Sequence, residues 1–377
     1  MQPRDLSTHA TYEAGRGVEE VAREQGRDPD EFVTLSSNEN PHGPAPAAVE
    51  AIRAAASSAH AYPKASHADL TDRLAEKWDV EPDQVWLGNG GDGAIDYLSR
   101  AMLEPDDTVL VPEPGFAYYA MSARFHHGRV RTYELSKDDD FEQDPDSLLA
   151  AAECERLLYL TSPHNPSGST ASLETVERIA RETADETLVV VDEAYGEFAE
   201  TESGVALIEG RDGFDARDDV AVIRTFSKAY GLAGVRLGYA VVPGAWADAY
   251  ARVNTPFAAS ELACRAGLAA VDDTDHVEQT VDSARWARDY LASTVDAPAW
   301  PSGGNFVLFD VGDGAAVAAA LQDRGVIVRD CTSFGLPGCI RVSCGTESET
   351  KRAADAIDEV LAARDGRSTA GEEVSHS

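Results

Sequence analysis

The feature that most constrains the fold is an alternation of short apolar runs with helical stretches, which begins at about residue 84. The apolar runs, each ended by turn-forming residues, are QVWLGNGG, TVLVPEPGF, RLLYLTSPHNPSG, TLVVVDEAY, AVIRTFSK and RLGYAVV. Segments with helical spacing, such as SLETVERIARETAD, lie between them. This alternation is typical of a mostly parallel sheet covered on both faces. The sequence therefore predicts an α/β fold that binds its ligands beyond the carboxyl ends of the strands.

The pattern changes after residue 254, and this change predicts a second, smaller domain. A long helical stretch precedes a second α/β unit made of NFVLFDV, GAAVAAALQDRGVIVRD, CIRVSCGT and ETKRAADAIDEVLAARD. We predict an N-terminal arm that also forms part of the small domain (1–37), a large domain (38–254) and a small C-terminal domain (255–364). The polar end of the chain (365–377) is predicted to be a disordered tail.

The balance of charge excludes several classes of partner. Acidic residues outnumber basic residues by 67 to 32, which gives a net charge of −35. Because such a surface repels phosphate backbones and anionic lipids, we predict neither a nucleic-acid nor a membrane partner. An anionic substrate must then be attracted by a local cluster of arginines. The charge is also consistent with adaptation to high salt, a hypothesis that an activity optimum in dilute buffer would contradict.

Neither an export signal nor a metal site is expected. No apolar run approaches the roughly 18 residues of a membrane helix, and the N-terminus lacks an apolar signal region. The five cysteines are scattered, without a CxxC pair or a zinc spacing. His126 and His127 are adjacent but have no further ligands nearby. These features predict a reduced, cytoplasmic location and no bound metal.

One lysine has unusual surroundings. The chain has only five lysines, and Lys228 lies in RTFSKAYGLAGVRLGYA, a segment without acidic residues. A lysine among apolar neighbours can form a Schiff base with an aldehyde when desolvation or a nearby cation favours the neutral amine. Arg236, eight residues later, offers such a cation. Lys228 is therefore the candidate nucleophile.

Polar residues follow two of the predicted strands. Asp192 ends the most apolar strand, where a carboxylate needs a cation or a strong donor unless it caps a helix. Tyr195 follows three residues later, and Asn165 ends another strand, although Asn-Pro is also common in turns. Together with Lys228 this set suits pyridoxal phosphate, which needs a carboxylate at its ring nitrogen and donors to its O3′.

The other requirements of that cofactor are also met. Phe116 in PEPGFAYY offers a face to the ring, and the glycine turn GNGGDG (88–93) opens a helical segment at which a phosphate can bind. Ser227 and Arg236 add a hydroxyl and a cation. The same turn fits the dinucleotide pattern GxGxxG, but no suitably placed acidic residue follows about twenty residues later to hold a ribose.

The set Asn165-Pro166, Asp192-x-x-Tyr195, Ser227-Lys228 and Arg236-x-Gly238 resembles that of class I/II pyridoxal-phosphate aminotransferases of fold type I. Within this family, TYEAGRGVEEVARE, LSSNENPHGP and AYP at 61–63 resemble histidinol-phosphate aminotransferases. The resemblance implies a homodimer. It also implies transamination between histidinol phosphate and 2-oxoglutarate, giving imidazole acetol phosphate and glutamate, in histidine biosynthesis.

The resemblance also implies roles for individual residues. Lys228 would be the Schiff-base lysine, Asp192 the partner of the pyridine nitrogen, and Tyr195 and Asn165 the donors to O3′. The residues implied at the phosphate are Gly91, Asp92, Gly93, Ser227 and Arg236, with Tyr62 from the other subunit. Phe116 stands where the family usually has Tyr, and Gly93 where it usually has Glu.

Two arginines that end strands of the small domain are implied to face the substrate, together with Tyr12 and Asn165. They are Arg329 and Arg341, whose guanidinium forks can hold a phosphate or a carboxylate. Arg329 could instead pair with Asp330. Three other functions stay open: a threonine-phosphate decarboxylase of cobalamin synthesis, an aromatic amino acid aminotransferase, and a non-catalytic protein on the same scaffold.

Overall fold

The computed structural model describes residues 1, 5–13, 15–64 and 66–374, with side chains described as far as residue 364. The strands of these residues are Val33–Leu35 (β1), Val85–Gly88 (β2), Thr108–Glu113 (β3), Arg129–Glu134 (β4), Leu157–Thr161 (β5), Leu188–Asp192 (β6), Val220–Thr225 (β7), Gly238–Val241 (β8), Phe306–Asp310 (β9), Val326–Asp330 (β10) and Cys339–Ser343 (β11). The α-helices are Val18–Gln25 (α1), Pro46–Ala55 (α2), Ala68–Trp78 (α3), Gly90–Met102 (α4), Ala117–Phe125 (α5), Pro145–Ala151 (α6), Leu173–Glu182 (α7), Val205–Glu209 (α8), Ala247–Val253 (α9), Glu261–Asp272 (α10), Thr274–Thr294 (α11), Gly314–Asp323 (α12) and Glu347–Val374 (α13).

A seven-stranded sheet forms the centre of the larger part of the molecule. Its strand order is β2-β8-β7-β6-β5-β3-β4. In this described sheet β8 runs in the direction opposite to that of the other six strands. Every residue of β5, β6 and β7 is buried. This burial explains their continuous apolar sequences, because helices cover both faces of the sheet. The predicted α/β fold with a mostly parallel central sheet is confirmed.

The smaller sheet joins the two ends of the chain. Its order is β1-β10-β11-β9, and β1 pairs with β10 in parallel, with Val33 opposite Val326. Strand β1 leads directly into residues 36–40, which therefore lie between the small sheet and the large one. The domain limits proposed from the sequence stay a prediction.

Two strands and one helix differ from the sequence-based expectations. Strands β1 and β4 were not predicted, because β1 has only three residues and β4, RVRTYE, lies at the edge of its sheet and is half-exposed. Helix α13 extends to Val374, into the segment expected to be disordered, since its sequence contains no proline to end it. Residues 375–377 of that segment lie outside the described residues.

The glycine turn does not belong to a dinucleotide-binding unit. Such a unit requires a parallel β-α-β arrangement around the turn. Strand β2, which precedes the turn, lies at the edge of the sheet and runs antiparallel to β8.

No helix in the described part of the chain combines the length and hydropathy needed to cross a membrane.

Candidate active site

The predicted site residues meet at the carboxyl ends of the central strands. Strands β5, β6 and β7 are parallel neighbours, and their register places Asp192 beside Thr161 on one side and Ile223 on the other. Segments 162–168, 193–198 and 226–228 therefore leave the sheet at the same edge. This edge is where an open α/β sheet binds its ligands.

Asp192 is a buried carboxyl, 5% exposed, at the centre of this edge. Its Oδ2 accepts a hydrogen bond from the Tyr119 hydroxyl at 2.6 Å, and its Oδ1 accepts one from the Ala194 N–H at 2.9 Å. Burial raises its pKa to about 6 from an ordinary value of 3.8. No Lys or Arg of the described residues forms an ion pair with it. The capping role considered from the sequence therefore uses only one oxygen of Asp192. The carboxyl is buried, and no cationic side chain of the described residues compensates its charge.

Lys228 and Tyr195 share one face of the site. Lys228 is half-buried, and its Nζ donates to the Ser37 carbonyl at 3.0 Å and lies 5.6 Å from the centre of the Tyr195 ring. The Tyr195 hydroxyl accepts a hydrogen bond from Asn38 Nδ2 at 3.0 Å. Asn38 is held in turn by the Ser343 hydroxyl, which donates to its Oδ1 at 2.9 Å. The loop after β1 thus fixes both the amine and the phenol.

The start of helix α4 has the features of an anion site. The first N–H groups of a helix have no partner within it, and this end carries a partial positive charge. Arg236 approaches the same point, donating to Asp92 at 2.8 Å and to the Ser227 hydroxyl at 3.5 Å. Gly90 has a φ of +76°, which favours glycine, and a Cβ there would lie 2.4 Å from Arg236 Nη2 and displace the guanidinium. Burial raises the pKa of Asp92, although the charges of Arg236 and Lys228 oppose this rise.

The two predicted arginines lie opposite each other on antiparallel strands of the small sheet. Arg341 is buried and donates to the side-chain oxygen of Asn165 and, at 2.9 Å, to the Ser36 carbonyl. Its Nε is buried without a hydrogen-bond partner among the described residues. Burial lowers the pKa of Arg341. Arg341 therefore links the small sheet to the loop after β5.

Arg329 does not pair with Asp330. It donates to the Ser333 hydroxyl at 2.8 Å and to the Glu13 carbonyl at 2.9 Å. Asp330 instead accepts from the N–H of Thr332 at 2.9 Å. The N-terminal segment is therefore tied to the guanidinium of Arg329.

Aromatic rings close the remaining side of the site. The ring of Phe116 meets that of Tyr12 edge-on at 6.0 Å and that of Tyr119 edge-on at 5.5 Å. Since Tyr119 binds Asp192, Phe116 connects the N-terminal segment to the buried carboxyl.

The model of the family "Aminotransferase class I and II" matches residues 30–357, a range that contains most of the residues just described. The chain belongs to this family. Two histidinol-phosphate aminotransferases resemble this aminotransferase over 96% of its length. That of Natronomonas pharaonis is 66% identical over 361 residues and is covered completely. That of Haloarcula marismortui is 64% identical over 361 residues, with 99% covered.

A solved structure has the same fold. The crystal structure of histidinol-phosphate aminotransferase from Sinorhizobium meliloti, in complex with pyridoxal-5′-phosphate, superposes with a TM-score of 0.83 at 30% identity. The match covers 96% of this aminotransferase and 98% of that chain. The resemblance inferred from the motifs is thereby confirmed at the level of the family and the fold.

The structure of this aminotransferase brings nearly all the predicted site residues together. Those at the carboxyl ends of the central strands or at the start of helix α4 are Gly91, Asp92, Gly93, Phe116, Asn165, Asp192, Tyr195, Ser227, Lys228 and Arg236. Three more approach from the N-terminal segment and the small sheet: Tyr12, Arg329 and Arg341. Tyr62 is the exception: its side chain is 84% exposed and its ring stacks on that of Phe257 at 4.9 Å. The role of Tyr62 in a second subunit stays a prediction, as do the roles of the others.

Two residues of the site were missed from the sequence. Tyr119 lies in the first turn of helix α5, three residues after Phe116, which is the residue just before the helix. Asn38 lies in LSSNENPHGP, which was used for the resemblance without a role for the asparagine. Its position in PEPGFAYY, close to Phe116, is the signal that could have identified Tyr119. Nothing in the sequence shows that Asn38 reaches Tyr195, because the two are 157 positions apart.

Proposed function

We propose that this aminotransferase transfers an amino group between histidinol phosphate and 2-oxoglutarate, giving imidazole acetol phosphate and glutamate, in histidine biosynthesis. The observation that carries the proposal is the 66% identity to a histidinol-phosphate aminotransferase over 96% of this chain. We also propose pyridoxal 5′-phosphate as the cofactor, a homodimer as the assembly and the cytoplasm as the location.

The residues present fit the cofactor. A buried carboxyl without a cationic partner, Asp192, suits a protonated ring nitrogen, which would supply the missing charge. The start of helix α4, with Arg236 and Ser227, suits a phosphate. A Cβ on Gly238 would lie 2.5 Å from the carbonyl carbon of Gly90, so both glycines keep this cradle open. When bound, pyridoxal phosphate supplies an aldehyde for the amine and an electron sink for the carbon that loses a proton.

The chain's own residues then supply position and proton transfer. With the cofactor bound, Lys228 Nζ would take the proton from the substrate carbon as general base and, as general acid, would deliver it to the carbon that carried the cofactor's aldehyde. Asp192 holds charge at the ring nitrogen, and the hydroxyl of Tyr119 favours the ionised carboxylate by donating to it. Tyr195 and the amide N–H₂ of Asn165, whose oxygen is occupied by Arg341, are the donors available to an oxygen of the cofactor.

The small domain supplies the substrate's anion site. Arg341 and Arg329 lie side by side, and Tyr12 lies near both. A guanidinium can hold the phosphate of one substrate and the carboxylate of the other in turn. One pocket can therefore serve both half-reactions.

The proposal is tested by a substrate panel. With 2-oxoglutarate as acceptor, we expect glutamate to form fastest from histidinol phosphate, and much more slowly from phenylalanine or threonine phosphate.

Arg341→Lys should lower kcat/KM by about 10- to 100-fold with histidinol phosphate, because lysine keeps the charge but loses the two-pronged hydrogen bond.

Arg288→Lys is the matched control for Arg341→Lys, since Arg288 is a part-buried arginine whose one hydrogen bond among the described residues goes to the Gly304 carbonyl. It should change kcat/KM little. If phenylalanine proves the better donor, or if threonine phosphate is decarboxylated, the proposed substrate is wrong.

The missed tyrosine gives a further prediction. Tyr119→Phe removes a hydrogen bond to a charged oxygen, so the pKa of Asp192 should rise further and the affinity for pyridoxal phosphate should fall about tenfold at pH 7. Absorbance titration of the cofactor-free protein measures this affinity. Tyr118→Phe, one residue earlier and without a bond to Asp192, should leave it unchanged. Equal affinities in the two variants would show that the Tyr119 hydroxyl does not act on Asp192.

A further inference from the structure

A buried ion pair lies next to the site and is not part of it. Arg224, on strand β7, donates from Nη1 to Glu193 Oε2 at 2.6 Å and from Nη2 to Glu197 Oε1 at 2.5 Å. The three side chains are exposed by 5%, 6% and 7%. Glu193 directly follows Asp192, and consecutive residues of an extended chain point to opposite sides. The ion pair therefore lies on the side of the sheet away from the Asp192 carboxyl.

Neighbouring side chains and backbone groups hold the Arg224 guanidinium and the Glu193 carboxylate in place. Arg224 lies 4.8 Å from the ring centre of Trp78. Glu193 also accepts from the Gly204 N–H at 2.6 Å and from the Ser203 hydroxyl at 2.7 Å. A Cβ on Gly196 would lie 2.3 Å from Arg224 Nη1, so any larger residue at 196 would displace the guanidinium from its present position.

A gain in the stability of the folded protein does not explain why Arg224, Glu193 and Glu197 are buried here. Burial alone would lower the pKa of Arg224, but Glu197 and Glu193 outweigh burial and raise it well above its ordinary value. Well-packed apolar residues stabilise a core as well as a buried ion pair does, or better. The best-attested use of such a pair is to specify one arrangement of the chain.

The position of the pair shows which arrangement it would specify. The last backbone hydrogen bond between the ends of β6 and β7 runs from Glu193 N–H to the Ile223 carbonyl at 2.9 Å. Beyond it, no backbone hydrogen bond of the described residues joins segment 193–198 to segment 226–228. The first segment carries Tyr195, between the two glutamates, and the second carries Lys228. Arg224, at the end of β7, thus ties β7 to the segment that carries Tyr195 where the strand ladder has ended.

We propose that Arg224, Glu193 and Glu197 are positioning residues, which set the placement of Asp192 and Tyr195 relative to Lys228. Their side chains lie on the side of the sheet away from the Asp192 carboxyl, so none of the three is placed to touch the cofactor. They act through the backbone, because the guanidinium joins β7, which leads to Lys228, to the segment that carries Tyr195. The proposal rests on the proposed use of pyridoxal phosphate and is independent of the amino donor.

The test compares Arg224→Met with Arg131→Met in the holoenzyme. Arg131 is a matched control, because it pairs with the buried Glu155 at the edge strand β4, away from the site. We expect Arg224→Met to weaken pyridoxal phosphate binding about 10- to 100-fold, the range found when residues that orient metal ligands are lost. The pH midpoint of the cofactor's visible absorbance should also shift, and kcat should fall more than KM rises. Arg131→Met should lower the unfolding temperature but leave the affinity for pyridoxal phosphate, the absorbance midpoint, kcat and KM unchanged.

Two further variants keep the test decisive if Arg224→Met does not fold. Glu197→Gln removes one charge and keeps the shape, and Arg224→Lys keeps the charge but loses the fork. Both should shift the absorbance midpoint in the same direction, by less than Arg224→Met. Wild-type affinity and midpoint in these variants would overturn the proposal. If the variants show these effects but the wild-type enzyme rejects histidinol phosphate, only the proposed substrate is contradicted.

Discussion

Replacing Lys228 with alanine is expected to lower turnover by about 10⁴-fold or more. A positioned proton-transfer group contributes about 10²–10⁴-fold by itself, and this variant also loses the amine that bonds to the aldehyde. The fold should survive, because the Lys228 ammonium makes one hydrogen bond, to the Ser37 carbonyl, and is only half-buried. Stopped assays with histidinol phosphate and 2-oxoglutarate measure the loss.

Borohydride gives the second measurement for Lys228. Reduction of the wild-type holoenzyme should attach pyridoxal phosphate covalently to the peptide that contains Lys228, as read by mass spectrometry. Lys228→Ala should take up no label. Lys137→Ala is the control, because Lys137 forms a surface ion pair with Asp310 at 2.5 Å and should leave both labelling and turnover unchanged. Label on a lysine other than Lys228 would overturn the assignment.

Replacing Asp192 with asparagine is expected to lower turnover by about 10²–10³-fold, the range for the loss of one preorganised electrostatic partner. The shape of the side chain is kept, but the charge that holds the ring nitrogen protonated is lost. The phosphate contacts at α4 and Arg236 should keep some cofactor bound. Turnover near the wild-type value would show that Asp192 only caps the turn at Ala194.

The pH dependence gives an independent check on Asp192. Burial places the pKa of this carboxyl at about 6 in the folded protein, above its ordinary value of 3.8. Because the folded state then binds the proton more tightly than the unfolded state, this group lowers the free energy of unfolding as the pH rises from about 4 to 6. The difference is about 3 kcal/mol at most. Asp192→Asn should lack this loss in the cofactor-free protein, as measured by denaturant unfolding between pH 4 and 6. Parallel curves for the two proteins would contradict the buried, raised pKa.

Most of the sheet could be predicted because its strands are buried on both faces. The runs around Leu157–Thr161, Leu188–Asp192 and Val220–Thr225 are continuously apolar, and such runs have few alternatives to a parallel, covered strand. Strand β4, with charged residues along a half-exposed edge, carries no such signal.

The sequence by itself determined the α/β fold and the chemically distinctive residues Lys228, Asp192, Asn165 and Arg236, because each stands at the end of an apolar strand or in an apolar segment where a polar group needs a partner. Only the tertiary structure decided which partners these are. Asn38 reaches Tyr195 and Arg341 reaches Asn165 across 157 and 176 positions of the chain. Such contacts depend on how two sheets are placed against each other, and residue type and spacing report only neighbours along the chain. The Arg224 ion pair was invisible for the same reason, since its charges are compensated in space by groups that lie far away in sequence.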